Sequence, residues 1–187
     1  MVDKESRFRA LFNGNFRQLA RYARHRGLNV EEADDLIANT FEVAWRRFES
    51  VPDGDEAVLW LYGIAFNQLR NLRRSNRRQT RLAARIVPAA SMPDSPELSD
   101  IPIEKIKAAV RLLSFDDREV ILLVAGEGLS ADEVGVVLGC GATTARSRLH
   151  RARRRLAIIL EETVKVQQPR PLGHVPNEDG ETTEVSG

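Results

Sequence analysis

Ser130-Ala131-Asp132-Glu133-Val134-Gly135-Val136-Val137-Leu138-Gly139-Cys140-Gly141-Ala142-Thr143-Thr144-Ala145-Arg146-Ser147-Arg148-Leu149-His150-Arg151-Ala152-Arg153-Arg154-Arg155-Leu156 decides the fold. Ser130 followed three residues later by Glu133 is the signature of a capping box, so a helix opens at Ala131. It ends by Leu138, because Gly139-Cys140-Gly141 is turn chemistry. A second helix starts at Ala142. At roughly 100° per residue, Ala145, Leu149, Ala152 and Leu156 form its buried stripe. Two short helices joined by a tight glycine turn predict a helix-turn-helix, whose second helix enters the major groove by its N-terminal residues. Thr143, Ser147, His150 and Arg154 then point outward, flanked by Thr144, Arg146 and Arg151. Arg146 and Ser147 are placed for base edges, and Arg bidentate to guanine is the commonest specific contact. Thr143 and Thr144 suit phosphates or a thymine methyl. Arg151 and Arg154 suit phosphates, which position a protein without reading sequence. Arg148 lies near the buried stripe, where an intradomain salt bridge and a DNA contact are both open readings.

Upstream, Ile103–Leu113 reads as a helix, and Ser114 with Asp117 caps another over Phe115–Glu127, stopped by Gly128. Before these lies a segment marked by Pro88, Pro93, Pro96 and Pro102. It reads as a linker (87–102), and Val87 to Ile101 fully extended would reach ~50 Å. The N-terminal part (5–86) reads as three helices. The first carries Phe8, Leu11, Phe12, Phe16, Leu19 and Tyr22 at helical spacing and stops at Gly27. Asn29 with Glu32 caps the second, whose stripe is Ala33, Leu36, Ile37, Thr40, Phe41, Ala44, Trp45 and Phe48. After a turn at Pro52–Asp55, the third runs from about Ala57 with Trp60, Leu61, Ile64, Ala65 and Leu69 inward. Both tryptophans read as core. The expectation is an all-α chain of two small helical domains, 5–86 and 103–162, with a polar tail (166–187) read as disordered.

Charge is distributed unevenly. Net charge is +1 over 187 residues. The tail Val166–Gly187 carries four acids against Arg170, leaving residues 1–165 at +4. Arginines concentrate in two stretches, seven in Arg70–Arg85 without an acid and six in Arg146–Arg155. Clustering of this kind aligns cations along phosphates and marks nucleic-acid binding at two places. A single cysteine, Cys140, excludes an intrachain disulfide and reads as a small core residue. The charged opening residues Asp3, Lys4, Glu5, Arg7 and Arg9 lack signal-peptide patterning. No apolar run reaches the ~18 residues of a membrane span, so the expectation is a cytoplasmic protein without membrane insertion. His150 has no second ligand-type residue at metal spacing, and neither a metal site nor a cofactor is expected.

The residues also resemble a family. Asp34-Asp35-Leu36-Ile37-Ala38-Asn39-Thr40-Phe41-Glu42-Val43-Ala44-Trp45 is similar to the polymerase-binding helix of the extracytoplasmic-function sigma factors. Trp60-Leu61-Tyr62-Gly63-Ile64-Ala65-Phe66-Asn67 resembles their next helix. Arg118-Glu119-Val120, Gly128-Leu129-Ser130 and Ser147-Arg148-Leu149-His150-Arg151-Ala152-Arg153 resemble their second domain. The likeness covers about Phe8–Arg85 and Ile103–Leu160. It implies a dissociable subunit of bacterial RNA polymerase that contacts the beta-prime clamp and beta flap, with promoter DNA as its ligand and an anti-sigma factor as a common partner. Carried over by position, Asp35, Ala38, Asn39, Glu42 and Arg46 face the polymerase. The loop Val51–Glu56, with Val51, Asp53, Gly54, Asp55 and Glu56, would hold a base flipped from the minus-ten strand, which favours a pocket. Asn67, Arg70, Asn71, Arg73 and Arg74 would line the path of opening DNA. Thr143, Thr144, Arg146, Ser147, His150, Arg151 and Arg154 would read the minus-thirty-five duplex. Ala38-Asn39 replaces the family's Gln-Glu pair, Ala57 and Val58 replace its Phe and basic residue, Gly141 replaces a capping Ser, and Ser114 replaces a Pro.

Two other classes compete. A two-domain helix-turn-helix regulator without polymerase binding draws support from Ala38-Asn39. An enzyme acting on nucleic acid is disfavoured, because no carboxylate cluster, Cys/His set or phosphate-cradling loop lies near the basic helices.

Overall fold

The computed structural model describes residues 3–82 and 102–167, with side-chain detail for 3–74 and 102–162. Among the described residues the secondary structure is helical: α1 (Lys4–His25), α2 (Val30–Arg46), α3 (Glu56–Leu82), α4 (Ile103–Leu112), α5 (Phe115–Ala125), α6 (Ala131–Leu138) and α7 (Ala142–Gln167), with a 3-10 turn at Phe48–Ser50. Of the linker reading only Pro102, which precedes α4, is described, and of the tail reading Val166 and Gln167 continue α7, a correction at its first two residues; the remainder of both lies outside the described residues.

The helix starts follow local chemistry. Asn29 and Glu32 close a reciprocal capping box on α2, and Ser130 and Glu133 close another on α6. Each satisfies two orphan backbone donors. The hydrogen bonds from Ser130 hold the Glu133 carboxyl below its ordinary pKa. The Ser114 hydroxyl accepts from the Asp117 backbone N–H, capping α5. That helix ends at Ala125, two residues short of the expected Glu127, because the chain reverses over Gly126 to Gly128.

Helices α1 to α3 pack through Leu19, Tyr22, Ala23, Leu36, Ile37, Phe41, Ala44, Leu61 and Ala65. The stripes are narrower than their sequence periodicity suggests. Phe12 and Phe16 are each more than one-third exposed, because α1 offers a broader apolar face than α2 and α3 cover. Trp45 is also a correction to the core reading, being 41% exposed at the end of α2. Its ring meets Phe8 edge-on and lies beneath the Lys4 ammonium at 4.6 Å. Trp60 is half-buried against the core.

The C-terminal domain wraps α4, α5 and α6 around α7. Ala145 and Ala152 are fully buried and Leu149 and Leu156 partly so, the stripe expected. Between α6 and α7, Gly139 adopts φ +64°, a left-handed conformation that side chains disfavour. The turn then folds back over Gly135, where an added Cβ would lie 2.8 Å from the Cys140 carbonyl oxygen. Only a residue without a side chain lets the turn close this tightly.

The two domains do not stand apart. One apolar core runs from α1 to α3 into Val120, Leu123, Val134 and Val137 of the second domain. Phe66 of α3 stacks on Phe115 of α5 with centroids 5.8 Å apart, nearly parallel.

Gly135→Val should destabilise the C-terminal domain by about 1–3 kcal/mol through overpacking at the turn. Urea unfolding followed by circular dichroism checks this, with Gly14→Val, where an added Cβ meets nothing, as the control.

Candidate nucleic-acid and protein interfaces

Burial on α2 separates its two faces. Leu36, Ile37, Thr40, Phe41 and Ala44 are buried, and the Thr40 hydroxyl donates to the Leu36 carbonyl at 2.7 Å. Asp35, Ala38, Asn39, Glu42 and Arg46 are all exposed. Their spacing of three, four and seven places them along one stripe of helix surface. Glu42 and Arg46 pair with each other across that stripe. The face is therefore acidic at its start and self-neutralised at its end.

The turn after α2 holds Val51 half-buried and leaves Asp53, Gly54, Asp55 and Glu56 exposed. Gly54 has φ +63° and its carbonyl accepts from Ala57 N–H at 3.2 Å. A groove of ≈ 400 Å³ lies beside this turn. One wall is Pro52, Asp55, Glu56, Leu59 and Trp60, and the other is Asp132, Glu133 and Val136 of α6. The recess therefore combines apolar side chains with four carboxylates, and one of its walls belongs to the second domain.

Along α3, Asn67, Asn71, Arg73 and Arg74 are exposed and Arg70 is half-buried. The Asn67 side-chain amide donates to the Gly63 carbonyl at 2.9 Å, and its oxygen accepts from Arg70 at 3.0 Å. Arg70 lies over the Phe66 ring, and Arg73 lies over Phe115 with its guanidinium carbon 4.9 Å from the centroid. These two cations are thus engaged by aromatic rings at the domain seam.

On α7, Thr143, Thr144, Arg146, Ser147, His150, Arg151 and Arg154 are exposed together at its outer surface. The Arg151 Nε donates to the Ser147 carbonyl at 3.3 Å. Arg146 donates to Asp132 of α6 at 2.6 Å, a partner absent from the sequence reading. The intradomain ion pair considered for Arg148 is formed instead by Arg155, which reaches Asp117 at the start of α5. Arg118, beneath the seam, donates to the carbonyls of Arg111 and Leu113. Burial, and then proximity to Arg73, lowers its pKa from the ordinary arginine value.

Sequence reasoning missed the contacts of five other residues. Arg26 donates through Nε to Glu119 at 2.9 Å and through Nη1 to Glu127 at 3.2 Å. The Tyr22 hydroxyl sits 3.5 Å from Glu119, and Arg21 donates to Glu127 at 3.1 Å. All of these contacts cross from one domain to the other. Charged residues at a helix end read as solvated surface unless the fold is known, so no sequence signal marked them.

Among the described residues, no helix is long and apolar enough to cross a membrane, and no group of three or more His, Cys, Asp or Glu is placed to hold a metal ion.

A basic recognition helix behind a glycine turn, joined to a three-helix domain with a second arginine-rich helix, defines a two-domain helical DNA-binding protein. Residues 11–79 match the family described as sigma-70 region 2, and residues 103–156 match sigma-70, region 4. The chain is 30% identical to the RNA polymerase sigma factor NccH of Alcaligenes xylosoxydans xylosoxydans, over 83% of this chain and 88% of that one. It is 30% identical to the ECF RNA polymerase sigma factor EcfG of Rhodopseudomonas palustris, over 71% and 73%. The structure of the sigma factor RpoE in complex with the anti-sigma factor NepR from Bartonella quintana superposes with TM-score 0.63 at 25% identity, covering 84% of this chain and 98% of that one. That of CnrH in complex with the cytosolic domain of CnrY gives 0.59 at 26%, covering 86% and 90%. The chain belongs to the RNA polymerase sigma factors of the extracytoplasmic-function type. Members of this family are transcription initiation factors rather than enzymes.

Arg146→Ala should weaken binding to a specific duplex by about 1–3 kcal/mol and relax preference at one base position. Arg154→Ala should weaken specific and random duplexes alike and reduce the salt slope by about one. Fluorescence anisotropy across a salt series distinguishes the two.

Proposed function

We propose that this chain binds core RNA polymerase and directs it to particular promoters, with no catalysis of its own. The observation that carries this is the order of two surfaces on one chain: an exposed acidic stripe on α2, then a recognition helix whose outer face is arginine, serine and threonine. The stripe Asp35, Ala38, Asn39, Glu42 and Arg46 docks on the beta-prime clamp, and the second domain meets the beta flap. Helix α7 reads the minus-thirty-five duplex. Phosphate contacts from Arg151 and Arg154 set its register, and Arg146 with Ser147 reads base edges. The turn Val51–Glu56 takes a base out of the minus-ten strand, and Asn67, Arg70, Asn71, Arg73 and Arg74 guide the opening duplex into a basic groove. The protein works in the cytoplasm, where polymerase and promoter are found. Two solved relatives are complexes with anti-sigma factors. An inhibitory protein of that kind is a partner of this chain as well.

The second reading, a DNA-binding regulator without polymerase contact, rests on Ala38-Asn39, which removes a polar group and a charge from the α2 stripe. Purified protein with core polymerase and a native promoter library separates the two. Promoter-specific transcripts establish the first reading, and duplex binding without transcripts establishes the second. On the first reading, Asp35→Arg should lower polymerase affinity about tenfold, ~1.4 kcal/mol. Binding of an isolated minus-thirty-five duplex should be unchanged. Ala38→Gln with Asn39→Glu should raise polymerase affinity, and competition against the labelled unaltered protein for core polymerase measures both variants.

A further inference from the structure

The arrangement of the two domains is incompatible with the function just proposed, and the incompatibility points to a switch. Elements named for positions ten and thirty-five lie about 25 base pairs apart, roughly 85 Å at ~3.4 Å per base pair. Here α3, which carries Asn67 to Arg74, packs directly on α6, the first helix of the helix-turn-helix. Axes of packed helices are ~8–10 Å apart. Helix α3 itself is only about 40 Å long at 1.5 Å per residue. No pose of this closed body reaches both elements. Electrostatics agree, because Asp132 and Glu133 face the minus-ten turn across the groove and Asp132 also holds Arg146. Both readers of DNA are opposed by carboxylates of α6. The chain superposes, at TM-score 0.63 over 84% of its length, on a sigma factor solved in complex with an anti-sigma factor.

What closes the body is chemically unusual. Arg26 sits at the end of α1 with its side chain 3% exposed, and its acceptors Glu119 and Glu127 are 2% and 0% exposed. Burial opposes its charge, but Tyr22, Glu119 and Glu127 outweigh that cost, leaving its pKa above the ordinary arginine value. The guanidinium carbon also stacks 3.2 Å from the Tyr22 ring centroid. Arg21 and His25 reach Glu127 from the same helix end, and at Gly126 an added Cβ would fall 2.7 Å from the His25 ring. The two chain reversals, Arg26-Gly27 and Gly126-Glu127-Gly128, thus interlock around one buried charge cluster.

We propose that this cluster is an intrinsic latch: Arg26, clasped by Glu119 and Glu127, holds the free chain in a closed form unable to engage a promoter. The latch is built to release. Buried ion pairs recover hydration when separated, so their net contribution to closure is small. A ligand that binds only the open form, such as polymerase with promoter, shifts the equilibrium by its differential affinity. A chain of 19 residues, 83 to 101, extends to roughly 65 Å, so covalent connection permits opening.

This inference rests on the promoter-binding reading for its purpose, but its test does not. Cysteines at the exposed positions Arg24 and Asp116, in a Cys140→Ser background, take a donor and an acceptor dye for single-molecule energy transfer on the free full chain. The unaltered latch should give one high-transfer population. Glu119→Gln with Glu127→Gln keeps shape and removes both charges, leaving Arg26 buried without a counter-ion. It should raise the low-transfer fraction about tenfold, with helicity by circular dichroism retained. If that double variant loses helicity, Arg21→Glu decides instead. It places a like charge against Glu127 from a half-exposed position and should also raise the low-transfer fraction. A free chain that is already mostly low-transfer overturns the latch. So does a helical double-glutamine variant, or Arg21→Glu when the double variant has lost helicity, with an unchanged distribution. Absence of promoter transcripts with core polymerase would count against the proposed function and leave the latch standing.

Discussion

The Arg26 guanidinium sits buried where the two halves of this protein meet. An arginine this deeply buried is tolerated only if carboxylates surround it, and both of its carboxylates come from the other domain. Glu119 on the inner side of α5 and Glu127 in the glycine-flanked reversal after Ala125 supply those acceptors. Phe66, Phe115, Val134 and Val137 add an apolar contact between the same two domains. Remove the partner domain and three buried charged side chains become ordinary surface. The pairing therefore defines a relationship between domains more than the stability of either one.

Contacts within the chain also engage the candidate DNA-contact residues. Arg146 and Arg73 are the strongest candidates on α7 and α3 for nucleic-acid contact, and both are engaged within the chain. Arg146 is held by Asp132 and Arg73 lies on Phe115. An exposed ion pair such as Arg146–Asp132 is worth little in water, on the order of 0–1 kcal/mol. Its importance is geometric, because it fixes a flexible side chain near the start of the recognition helix.

Much of the architecture was legible in particular residues. Ser130 with Glu133 and Asn29 with Glu32 marked helix starts to the residue, because a capping box is a local pattern of hydrogen bonds. Gly139 marked the turn, because a left-handed backbone needs no information from elsewhere. The stripe Ala145, Leu149, Ala152, Leu156 and the exposed face opposite it followed from helical period alone. The errors were at edges. Trp45, Phe12 and Phe16 continue apolar stripes, yet period cannot tell how far a neighbouring helix extends to cover them. One signal was overlooked: Tyr62 and Phe66 make α3 apolar on a second face beside Leu61, Ala65 and Leu69. A helix apolar on two sides is packed on two sides.

What the sequence determined by itself was the set of helices, the helix-turn-helix and the identity of the outward residues on α2 and α7. Each of these depends on interactions spanning four residues or fewer, or on a period that a linear reading exposes. Only the tertiary structure decided that Arg26 meets Glu119 and Glu127, about a hundred residues away, and that Asp132 meets Arg146. Charges are written identically whether they end in water or against a partner. Their meaning is set by burial, and burial is a property of the assembled fold.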